Sequence, residues 1–506
     1  MTSKILSFEE LLKKTKELKK QGLTVVQSHG VYDIIHPGIV QHLQLAKERG
    51  DVLIVTIIKD KHVRLGPGRP LFNERLRLEN VVALRPVDYV ALVDEDIPFE
   101  CVRLLKPDIF AKGKAFKERD RVVHGNIFEE GKEDNFGKTK ILETDGFSFQ
   151  TQQLVNNLLA VYPDGTKKFL LDFSLRYSFK SVATQLNKLK NLKVLLIGDG
   201  IIDEYHYCDA MGRSSKAHLV VNKYLHQEVF AGGAFALANH LSSLCDQINL
   251  VTLLGGNDSR ERFIAKNLRP NVTPRYFYRA NSSTIVKKRY LNNYSSQKLF
   301  EVNYLDDRYI EGKIEKEIID YLEKQIPNYD IVLVSDFGHG FITEGIINLI
   351  KRRARKYAVN TQTNAANTGY NLITKYQTPY YICVDESELR LAAQEKHASI
   401  EDVAQRIKKL VGARHLIVTL GKSGSLGIGR NNEINRTPIF SAEVVDTIGA
   451  GDAFFAYTAP CFAVGMPLDL VSFIGNVVGA LAVQIVGNKK PVEKYEVMEY
   501  VHNLLR

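Results

Sequence analysis

The sequence feature that most constrains this chain is a glycine-containing turn near its C-terminal end, residues 446–452, which reads D-T-I-G-A-G-D. Gly449, Ala450 and Gly451 let the backbone pass close to a ligand, and the small apolar run 453–456 predicts the start of a helix. The unpaired N–H groups at a helix N-terminus and the positive end of the helix dipole face the same spot. The turn therefore predicts an anion site.

Asp452 closes this turn and gives it a candidate chemistry. A carboxylate at that position can take a proton from a hydroxyl while the amides hold the charge on a transferring phosphoryl group. The motif thus predicts phosphoryl transfer to an alcohol. The alternative is an ordinary strand-to-helix turn with an aspartate in the first helical turn.

Length and composition indicate a globular chain of two or three domains, because 506 residues exceed what one core holds. The 44% hydrophobic and 25% charged residues are ordinary values. The five cysteines are scattered without a C-x-x-C pair, which favours a reducing cytoplasm over a zinc site or disulfide framework. The sequence shows neither a signal peptide nor the run of ~20 apolar residues that a membrane span needs.

The net positive charge of the chain is compatible with two classes of partner, nucleic acid and polyphosphate substrates. The formal net charge is +10, and nucleic acid is one interpretation of such a surplus. The lysine and arginine clusters at 13–20 and 351–356, however, lie in amphipathic helical patterns, which is typical of solvated helix faces. A nucleic-acid-binding protein remains the non-enzyme alternative, although aromatic-interleaved basic runs are missing from the sequence. An enzyme that handles polyphosphates would also gain from the surplus by steering its substrates.

The order of predicted elements indicates an α/β fold in two domains. A strand from Leu23, a helix from Gly38 and a strand over Val52–Ile58 form a β-α-β unit in a Rossmann-like domain at 1–160. Residues 161–191 show periodicity for one helix only and are predicted to be a linker. Residues 192–506 restart with a strand at 193–199 and alternate strands with helices.

Two segments of the second domain break this alternation. Residues 213–230 and 284–305 have strand character without helices of their own. They predict a small β lid on a parallel sheet, which covers a ligand or pairs with another subunit. We therefore expect a homodimer or a larger homo-oligomer.

Several glycines and carboxylates follow predicted strands of the second domain, where open α/β sheets bind their ligands. Each of them alone is also explained as a structural turn. The candidates are Asp199 and Asp203, Gly232 and Gly233, Asp385 and Glu388, and Thr419 with Gly421 and Gly424.

Taken in this order, these features resemble the ribokinase-like (PfkB) carbohydrate kinases over residues 193–490. The most similar pattern is the kinase half of the bifunctional heptose 7-phosphate kinases and heptose 1-phosphate adenylyltransferases. That family's opening Gly-Asp-x-x-x-Asp-x-Tyr matches residues 198–205, and its Ser-Asp-Tyr/Phe-x-x-Gly turn matches residues 335–340.

The resemblance implies an ATP- and Mg²⁺-dependent kinase for a sugar or sugar phosphate, with a ribokinase-like fold. It implies Asp452 as catalytic base with the anion hole at Gly449, Ala450 and Gly451. Sugar-binding residues would be Asp203, Gly232 and Gly233; ATP-binding residues would be Thr419, Gly421, Gly424 and Asn476. Asp385 and Glu388 would order magnesium through water.

Two single residues and two segments depart from the family pattern. Asp385 replaces the Asn of N-x-x-E, and Leu237 replaces an Asn in the helix after Gly233. The segment 360–363 reads N-T-Q-T in place of Asp-Pro-Lys-Gly, and the lid segment 213–219 is rewritten. The chemistry looks preserved, whereas the identity of the acceptor is open.

The N-terminal turn 30–38 reads G-V-Y-D-I-I-H-P-G and joins a strand to a helix. His36 at such a helix start can donate to phosphate oxygens, or it can simply cap the helix. The sequence around it resembles the cytidylyltransferase-like nucleotidyltransferases over residues 5–160, and again the heptose enzymes, with the two halves in swapped order. The resemblance implies a nucleotidyltransferase site that contains Asp33, His36, Gly38, Arg75, Lys112 and Ser148.

Ile39 is the serious departure in this half, because the family motif has a second histidine there. A family Ser-Thr-Thr phosphate contact is also reduced to Ser148-Phe149-Gln150. Loss of one preorganised donor typically costs ~10²–10³ in rate.

Two outcomes stay open for the function of this domain. In the first, both domains work with a second nucleoside triphosphate and make a nucleotide-activated, heptose-like sugar. In the second, the N-terminal domain is degenerate and serves nucleotide binding or dimerisation.

Overall fold

The computed structural model describes residues 4–63, 69–95, 99–113, 139–144, 162–365, 367–441 and 444–505 of the chain. The chain divides into two compact units, Met1–Lys180 with Met498–Arg506, and Ser181–Val497. Mixed helices and parallel strands in both units confirm the α/β class. Among the described helices, none combines the length and the apolar content that crossing a membrane requires.

The first unit is built on a parallel sheet. Its described strands run in the order β3-β2-β1-β4-β5. All seven residues of β2 are buried, as expected of a central parallel strand covered on both faces. Chain order reverses on either side of β1, so the loop after β1 lies at a topological switch point. The strands are β1 (Val25–Gly30), β2 (Val52–Ile58), β3 (Tyr89–Val93), β4 (Ile109–Gly113) and β5 (Lys140–Thr144).

Helices of this unit cover the sheet with amphipathic faces. The core on one face includes Leu43, Val55 and Val81, and Ile39 packs against it as a partly buried side chain. The helices up to residue 105 are α1 (Phe8–Lys20), α2 (Pro37–Lys47), α3 (Glu74–Val82) and α4 (Phe99–Leu105). The polar loop and the short helix that the sequence predicts near 125–140 and 152–160 lie almost entirely outside the described residues.

The predicted linker, 161–191, contains more structure than its sequence indicated. It holds two helices, α5 (Asp164–Arg176) and α6 (Phe179–Asn187), where we predicted one at most. Only a few residues of each helix are apolar and buried, such as Leu170, Phe173 and Val182, so the helical period is weak in the sequence.

The second unit contains a larger sheet whose described strands run β10-β9-β6-β13-β14-β15-β16-β17-β18. Pairing is parallel from β10 to β16 and antiparallel from β16 to β18. Chain order reverses at β6, which places a second switch point at its carboxyl end. The strands are β6 (Lys193–Gly198), β9 (Gln247–Gly255), β10 (Val272–Arg279), β13 (Ile331–Asp336), β14 (Tyr357–Thr361), β15 (Tyr381–Asp385), β16 (His415–Thr419), β17 (Ser425–Ile428) and β18 (Ile434–Thr437).

The predicted β lid is present as a separate sheet of the same unit, with described strands in the order β12-β11-β7-β8. β7 (Gly200–Arg213) and β8 (Val220–Gly233) form a long hairpin, and β11 (Ile285–Asn292) and β12 (Lys298–Tyr304) complete the sheet. β7 begins well before the predicted strand at 213. Its first half buries Asp203, Glu204 and His206, and these buried polar residues hide the strand pattern from sequence.

Helices of the second unit include two that are apolar on every side, α13 and α14. From Asp452 onward every residue of α13 is buried, which explains why its sequence shows almost no polar face. The helices are α7 (Ala234–Ser242), α8 (Glu261–Asn267), α9 (Gly312–Gln325), α10 (Glu344–Arg353), α11 (Glu386–Ala393), α12 (Ile400–Val411), α13 (Ala450–Ala463) and α14 (Leu468–Ala482). The last helix, α15 (Lys494–Leu504), belongs to this unit up to Val497 and to the first unit from Met498.

Candidate active site

A cleft of about 1050 Å³ lies at the carboxyl ends of the large sheet of the second unit. β15 and β16 end at its rim with Asp385 and Thr419, and Gln362 follows the end of β14. The lid contributes Asp203, Lys287 and Arg289, and the N-terminus of α13 contributes Gly449 to Asp452. The structure therefore brings together the residues that the sequence proposed for the C-terminal domain, except that Gly232 lies behind Asp203 and the buried Asp199 accepts a hydrogen bond from the Phe337 N–H outside the cleft lining.

The D-T-I-G-A-G-D turn forms the N-terminus of α13, as the sequence predicted. Gly449 is the N-cap residue with φ +83°, a left-handed conformation that favours glycine. A Cβ on Gly449 would lie 2.2 Å from Oδ1 of Asn488, whereas a Cβ on Gly451 would meet no atom within 4 Å. Gly449 is thus required by the backbone, and Gly451 keeps the space in front of the first-turn N–H groups open.

Asp452 is buried at the bottom of the cleft. Its Oδ1 accepts a hydrogen bond from Nε2 of Gln362 at 2.6 Å, and its Oδ2 accepts none from any residue the structure describes. Burial raises the pKa of Asp452 to about 7; Gln362 and Lys287 oppose this shift, and the carboxylates of Asp203 and Glu388 add to it. A carboxyl with a pKa near neutrality can act as a general base at physiological pH.

Asp203 presents a second buried carboxylate on the lid side of the cleft. Its Oδ1 lies 2.5 Å from Nη1 of Arg289, and its Oδ2 accepts a hydrogen bond from Nδ2 of Asn488 at 3.3 Å. Gly232 faces it, and a Cβ there would approach Oδ2 of Asp203 to 2.0 Å. Gly233 has φ +55° and begins α7. These glycines leave Asp203 room to accept hydrogen bonds from a ligand.

Lys287 is a cation of the cleft that the sequence analysis missed. It is 7% exposed, lies over the Phe337 ring at 5.5 Å, and forms no ion pair within 4 Å among the described residues. Burial lowers its pKa, while the charge of Asp203 opposes that shift. A buried ammonium that borders a cleft can bind an anionic group of a ligand.

At the opposite end of the cleft lie the residues that the resemblance assigned to ATP. Thr419 ends β16, and Gly421 and Gly424 follow with φ +53° and +83°. A Cβ on Gly424 would lie 2.0 Å from the Thr437 carbonyl oxygen, so this turn tolerates no side chain. Asn476 of α14 borders the cleft and donates to Oγ of Ser425 at 2.6 Å.

Asp385 and Glu388 border the cleft, but much of their hydrogen-bonding capacity is used within the protein. They form a capping box: Glu388 N–H donates to Oδ1 of Asp385 at 2.8 Å, and Asp385 N–H donates to Oε2 of Glu388 at 3.0 Å. Oε1 of Glu388 accepts from the Thr363 N–H. Burial and the charge of Asp385 raise the pKa of Glu388 to about 7. The described residues contain no group of three or more His, Cys, Asp or Glu arranged to hold a metal ion directly.

Asp446 connects the catalytic turn to the lid. Its Oδ1 accepts hydrogen bonds from Nζ of Lys298 at 2.6 Å and from the Ile448 N–H. Its Oδ2 accepts from the Tyr205 hydroxyl at 2.9 Å and from the Gly487 N–H. Because Tyr205 and Lys298 belong to lid strands β7 and β12, the lid and the turn hold one another in place.

In the first unit, Asp33 organises the loop after β1. This buried carboxylate accepts from Nε of Arg69 at 2.5 Å and from the N–H groups of Leu71 and Phe72 at 2.9 and 3.0 Å. His36 is the N-cap residue of α2, Gly38 is buried in the first turn, and burial lowers the pKa of His36. Asp33 thus fixes the motif loop to residues 69–72.

The remaining candidates of this unit are placed differently. The side chain of Arg75 is 86% exposed and pairs with Glu79, whereas the fully buried Arg77 donates to the carbonyl oxygens of Val31, Ile58 and Phe72. Lys112 lies at the carboxyl end of β4, beside β1. Ser148 lies outside the described residues.

Three residues that line the cleft could hardly be predicted from the sequence. Lys287 lies in a run of three basic residues in a strand, Gln362 lies in a polar stretch after a strand, and Asn488 lies in a loop far along the chain from Asp203. The departure from Asp-Pro-Lys-Gly at 360–363 was the one available pointer to Gln362.

Comparisons with known proteins assign both halves of the chain. The sequence pattern of pfkB family carbohydrate kinases matches residues 191–494, and the cytidylyltransferase-like pattern precedes it at residues 28–129. The bifunctional protein HldE of Trichlorobacter lovleyi is 25% identical over 311 residues, which cover 61% of this chain and 62% of that protein. The bifunctional protein HldE of Nitratiruptor sp. is 41% identical over 128 residues, which cover 25% of this chain and 28% of that protein.

Solved structures share the fold of the second unit. Phosphofructokinase-2 of Escherichia coli in complex with substrates and products has a TM-score of 0.51 at 13% identity, over 62% of this chain and 100% of its own. A putative ribokinase of Agrobacterium tumefaciens has a TM-score of 0.50 at 18% identity, over 62% of this chain and 97% of its own.

The raised pKa of Asp452 predicts a pH-dependent effect of Asp452→Asn on stability. Folded Asp452 has a pKa of about 7, whereas the ordinary value of 3.8 applies in the unfolded chain, so the folded state loses stability as pH rises from 3.8 to about 7. Asparagine does not ionise and escapes this loss. We therefore expect the free energy of unfolding of Asp452→Asn, relative to wild type, to be higher at pH 8 than at pH 5, by a difference on the order of a few kcal/mol. The same difference in unfolding free energy between the two proteins at both pH values would contradict the shift.

Proposed function

The chain belongs to the pfkB family of carbohydrate kinases, and on this premise we propose that residues 191–494 transfer the terminal phosphoryl group of MgATP to a hydroxyl of a sugar or sugar phosphate. The observation that carries the proposal is the buried Asp452, whose pKa is about 7, in the first turn of α13. A base and an anion site on the same helix turn can serve both reacting groups at once.

The acceptor would lie between the lid and α13. Asp203 accepts hydrogen bonds from its hydroxyls, and Oδ2 of Asp452 takes the proton of the hydroxyl that attacks. Lys287 and the first-turn N–H groups of α13 hold the charge on the phosphoryl group or on the acceptor. A phosphate on the acceptor would match the unpaired, buried charge of Lys287.

The nucleotide would lie at the other end of the cleft, against Thr419, Gly421, Gly424 and Asn476. Mg²⁺ bound to the phosphates supplies charge neutralisation to the transfer. Asp385 and Glu388 border the cleft, and we propose that they accept hydrogen bonds from water molecules bound to the metal. Carboxylates engaged in a helix cap suit this outer role better than direct ligation, because Mg²⁺ retains several waters.

For the N-terminal domain we propose a nucleotidyltransferase-like site around Asp33, His36, Gly38 and Lys112, which takes a second nucleoside triphosphate. If it is active, kinase and nucleotidyltransferase steps together would make a nucleotide-activated, heptose-like sugar. The relatives named bifunctional protein HldE, which match 61% and 25% of this chain, support that scheme.

A second candidate keeps the kinase and makes the N-terminal domain a binding or dimerisation module. Ile39 favours it, because this hydrocarbon side chain packs against the core where the family motif places a phosphate donor. We propose a cytoplasmic location for either version, since all five cysteines are free and buried, as in a reducing compartment.

The lid further suggests a homo-oligomer. All seven residues of β12 are exposed at the edge of the lid sheet, including Leu299, Phe300 and Tyr304. Phe300 stacks on Tyr290 of β11, so the apolar surface continues across the sheet. Exposed sheet edges with apolar patches pair readily with a second chain.

The kinase proposal is tested by a screen of sugars and sugar phosphates with MgATP, following ADP release and product mass together. We expect one acceptor to gain a single phosphoryl group. Asp452→Asn should reduce that turnover by ~10²–10⁴ while ATP binding stays near normal, because a positioned base contributes this much to the rate. The wild-type rate in Asp452→Asn would remove the residue from its role, and no product from any acceptor would refute the kinase.

The N-terminal alternative is tested at Ile39. We expect pyrophosphate release from ATP or CTP with a sugar 1-phosphate to be weak in the native chain and at least tenfold faster in Ile39→His, because the imidazole restores a phosphate donor. Ile39→Ala is the control, since it creates space without a donor. His36→Ala in the Ile39→His background should abolish the gain. Fast release by the native chain would exclude the degenerate module.

The oligomer is tested by light scattering across a dilution series. We expect native chains to have at least twice the monomer mass of 57.2 kDa and Phe300→Glu to fall to the monomer mass. Leu175→Glu is the control, since Leu175 is also an apolar and exposed residue but lies outside the lid. A native monomer at every concentration would refute the prediction.

A further inference from the structure

Gln362 is the described residue that donates a side-chain hydrogen bond to the proposed base. It follows the last residue of β14, and its Nε2 lies 2.6 Å from Oδ1 of Asp452. Its backbone is fixed on both sides: its N–H donates to the Asp336 carbonyl oxygen at 2.8 Å, and its own carbonyl oxygen accepts from Nδ2 of Asn371 at 3.1 Å. The side chain therefore starts from a rigid point on the rim of the cleft.

A chain of amides sets which end of the Gln362 side chain faces Asp452. Nδ2 of Asn360 donates to the Cys383 carbonyl oxygen at 2.9 Å, so Oδ1 of Asn360 points the other way. Nε2 of Gln362 donates to that oxygen at 3.1 Å as well as to Asp452. Because both neighbours are acceptors, the NH₂ end must face them, and the orientation of the amide is determined by the network.

We propose that Gln362 is a positioning residue for phosphoryl transfer: its amide holds Oδ1 of Asp452, so that Oδ2 faces the cleft and receives the proton of the acceptor hydroxyl. The proposal rests on the kinase function proposed above. Without the amide, a carboxyl group in the first turn of a helix could rotate about its Cβ–Cγ bond and present neither oxygen steadily. Gln362 does not itself contact the proton that moves.

The amide has a second effect, on the charge of the base. A hydrogen bond donated to a carboxylate stabilises its ionised form, and Gln362 opposes the rise in the Asp452 pKa that burial causes. Several charged or titratable groups face Asp452 from other elements: Asp203 on β7, Lys287 on β11, Cys383 on β15 and Glu388 on α11. Lys287 acts in the same direction as Gln362, whereas the carboxylates of Asp203 and Glu388 oppose both. Burial raises the pKa of the Cys383 thiol to about 12, so this group stays neutral.

Two substitutions at this position should move the pH profile in opposite directions. Gln362→Leu removes the donor at similar volume, so the acid limb of kcat/KM should move to higher pH by about one unit. Gln362→Lys keeps a donor and adds a positive charge, so the acid limb should move below that of wild type. Both profiles are measured with MgATP and the acceptor that wild type phosphorylates fastest. Gln405→Leu, at an exposed position of α12 that does not line the cleft, is the control and should match wild type.

A readout without turnover separates this inference from the proposed function. The ¹³C signal of the Asp452 carboxyl, assigned by its loss in Asp452→Asn, should titrate at higher pH in Gln362→Leu and at lower pH in Gln362→Lys. If wild type phosphorylates no acceptor, the kinase proposal fails and this titration still tests the contact. Equal titration in all three proteins, or shifts of the same sign in both variants, would overturn the role of Gln362. Thermal unfolding of each variant shows whether it is folded.

Discussion

A carboxyl group held out of water in the first turn of a buried helix is the constraint on which the catalytic unit depends. The burial of α13 disfavours a charge on Asp452 and raises its pKa to about 7, so the group can be accommodated in its neutral form without the cost of a buried charge. The first turn requires glycine at 449, since its φ is positive and Asn488 fills the space of a Cβ. The proposed base and the proposed anion site are therefore one local structure.

The lid depends on the same turn. Asp446, six residues before Asp452, receives hydrogen bonds from Tyr205 and Lys298 of the lid and from two backbone N–H groups of its own surroundings. Asp203 and Lys287 then project from the lid into the cleft at positions that this anchor defines. Asp446 thus holds the lid strands and the glycine turn together, and the proposed acceptor site and the proposed base depend on this one carboxylate for their relative position.

In the first unit, a buried carboxylate likewise orders the loop at the proposed site, but an apolar side chain stands where the family motif has a phosphate donor. Asp33 and the buried Arg77 tie the loop after β1 to residues 69–72 and to neighbouring carbonyl oxygens, so the loop that we propose for nucleotide binding is held in place. Ile39 in the first turn of α2 joins the core instead of offering a donor. The loop is ordered by contacts that do not need a ligand, and order of this kind is compatible with either a working or a degenerate site.

The sequence alone determined the local structures whose cause is local. Hydrophobic runs such as Val52–Ile58 specified central parallel strands, and the glycines at 449 and 451 specified the helix-start anion site, because both follow from backbone sterics and burial over a few residues. The lid was predicted from strands without helices, although the buried charges of β7 hid its first half. Tertiary structure alone decided which side chains meet. In the cleft, Gln362 meets Asp452 and Asn488 meets Asp203. In the first unit, Arg77 and not Arg75 holds the loop after β1. These partners are far apart in the chain, and their contact depends on sheet order and side-chain direction, which no short stretch of sequence encodes.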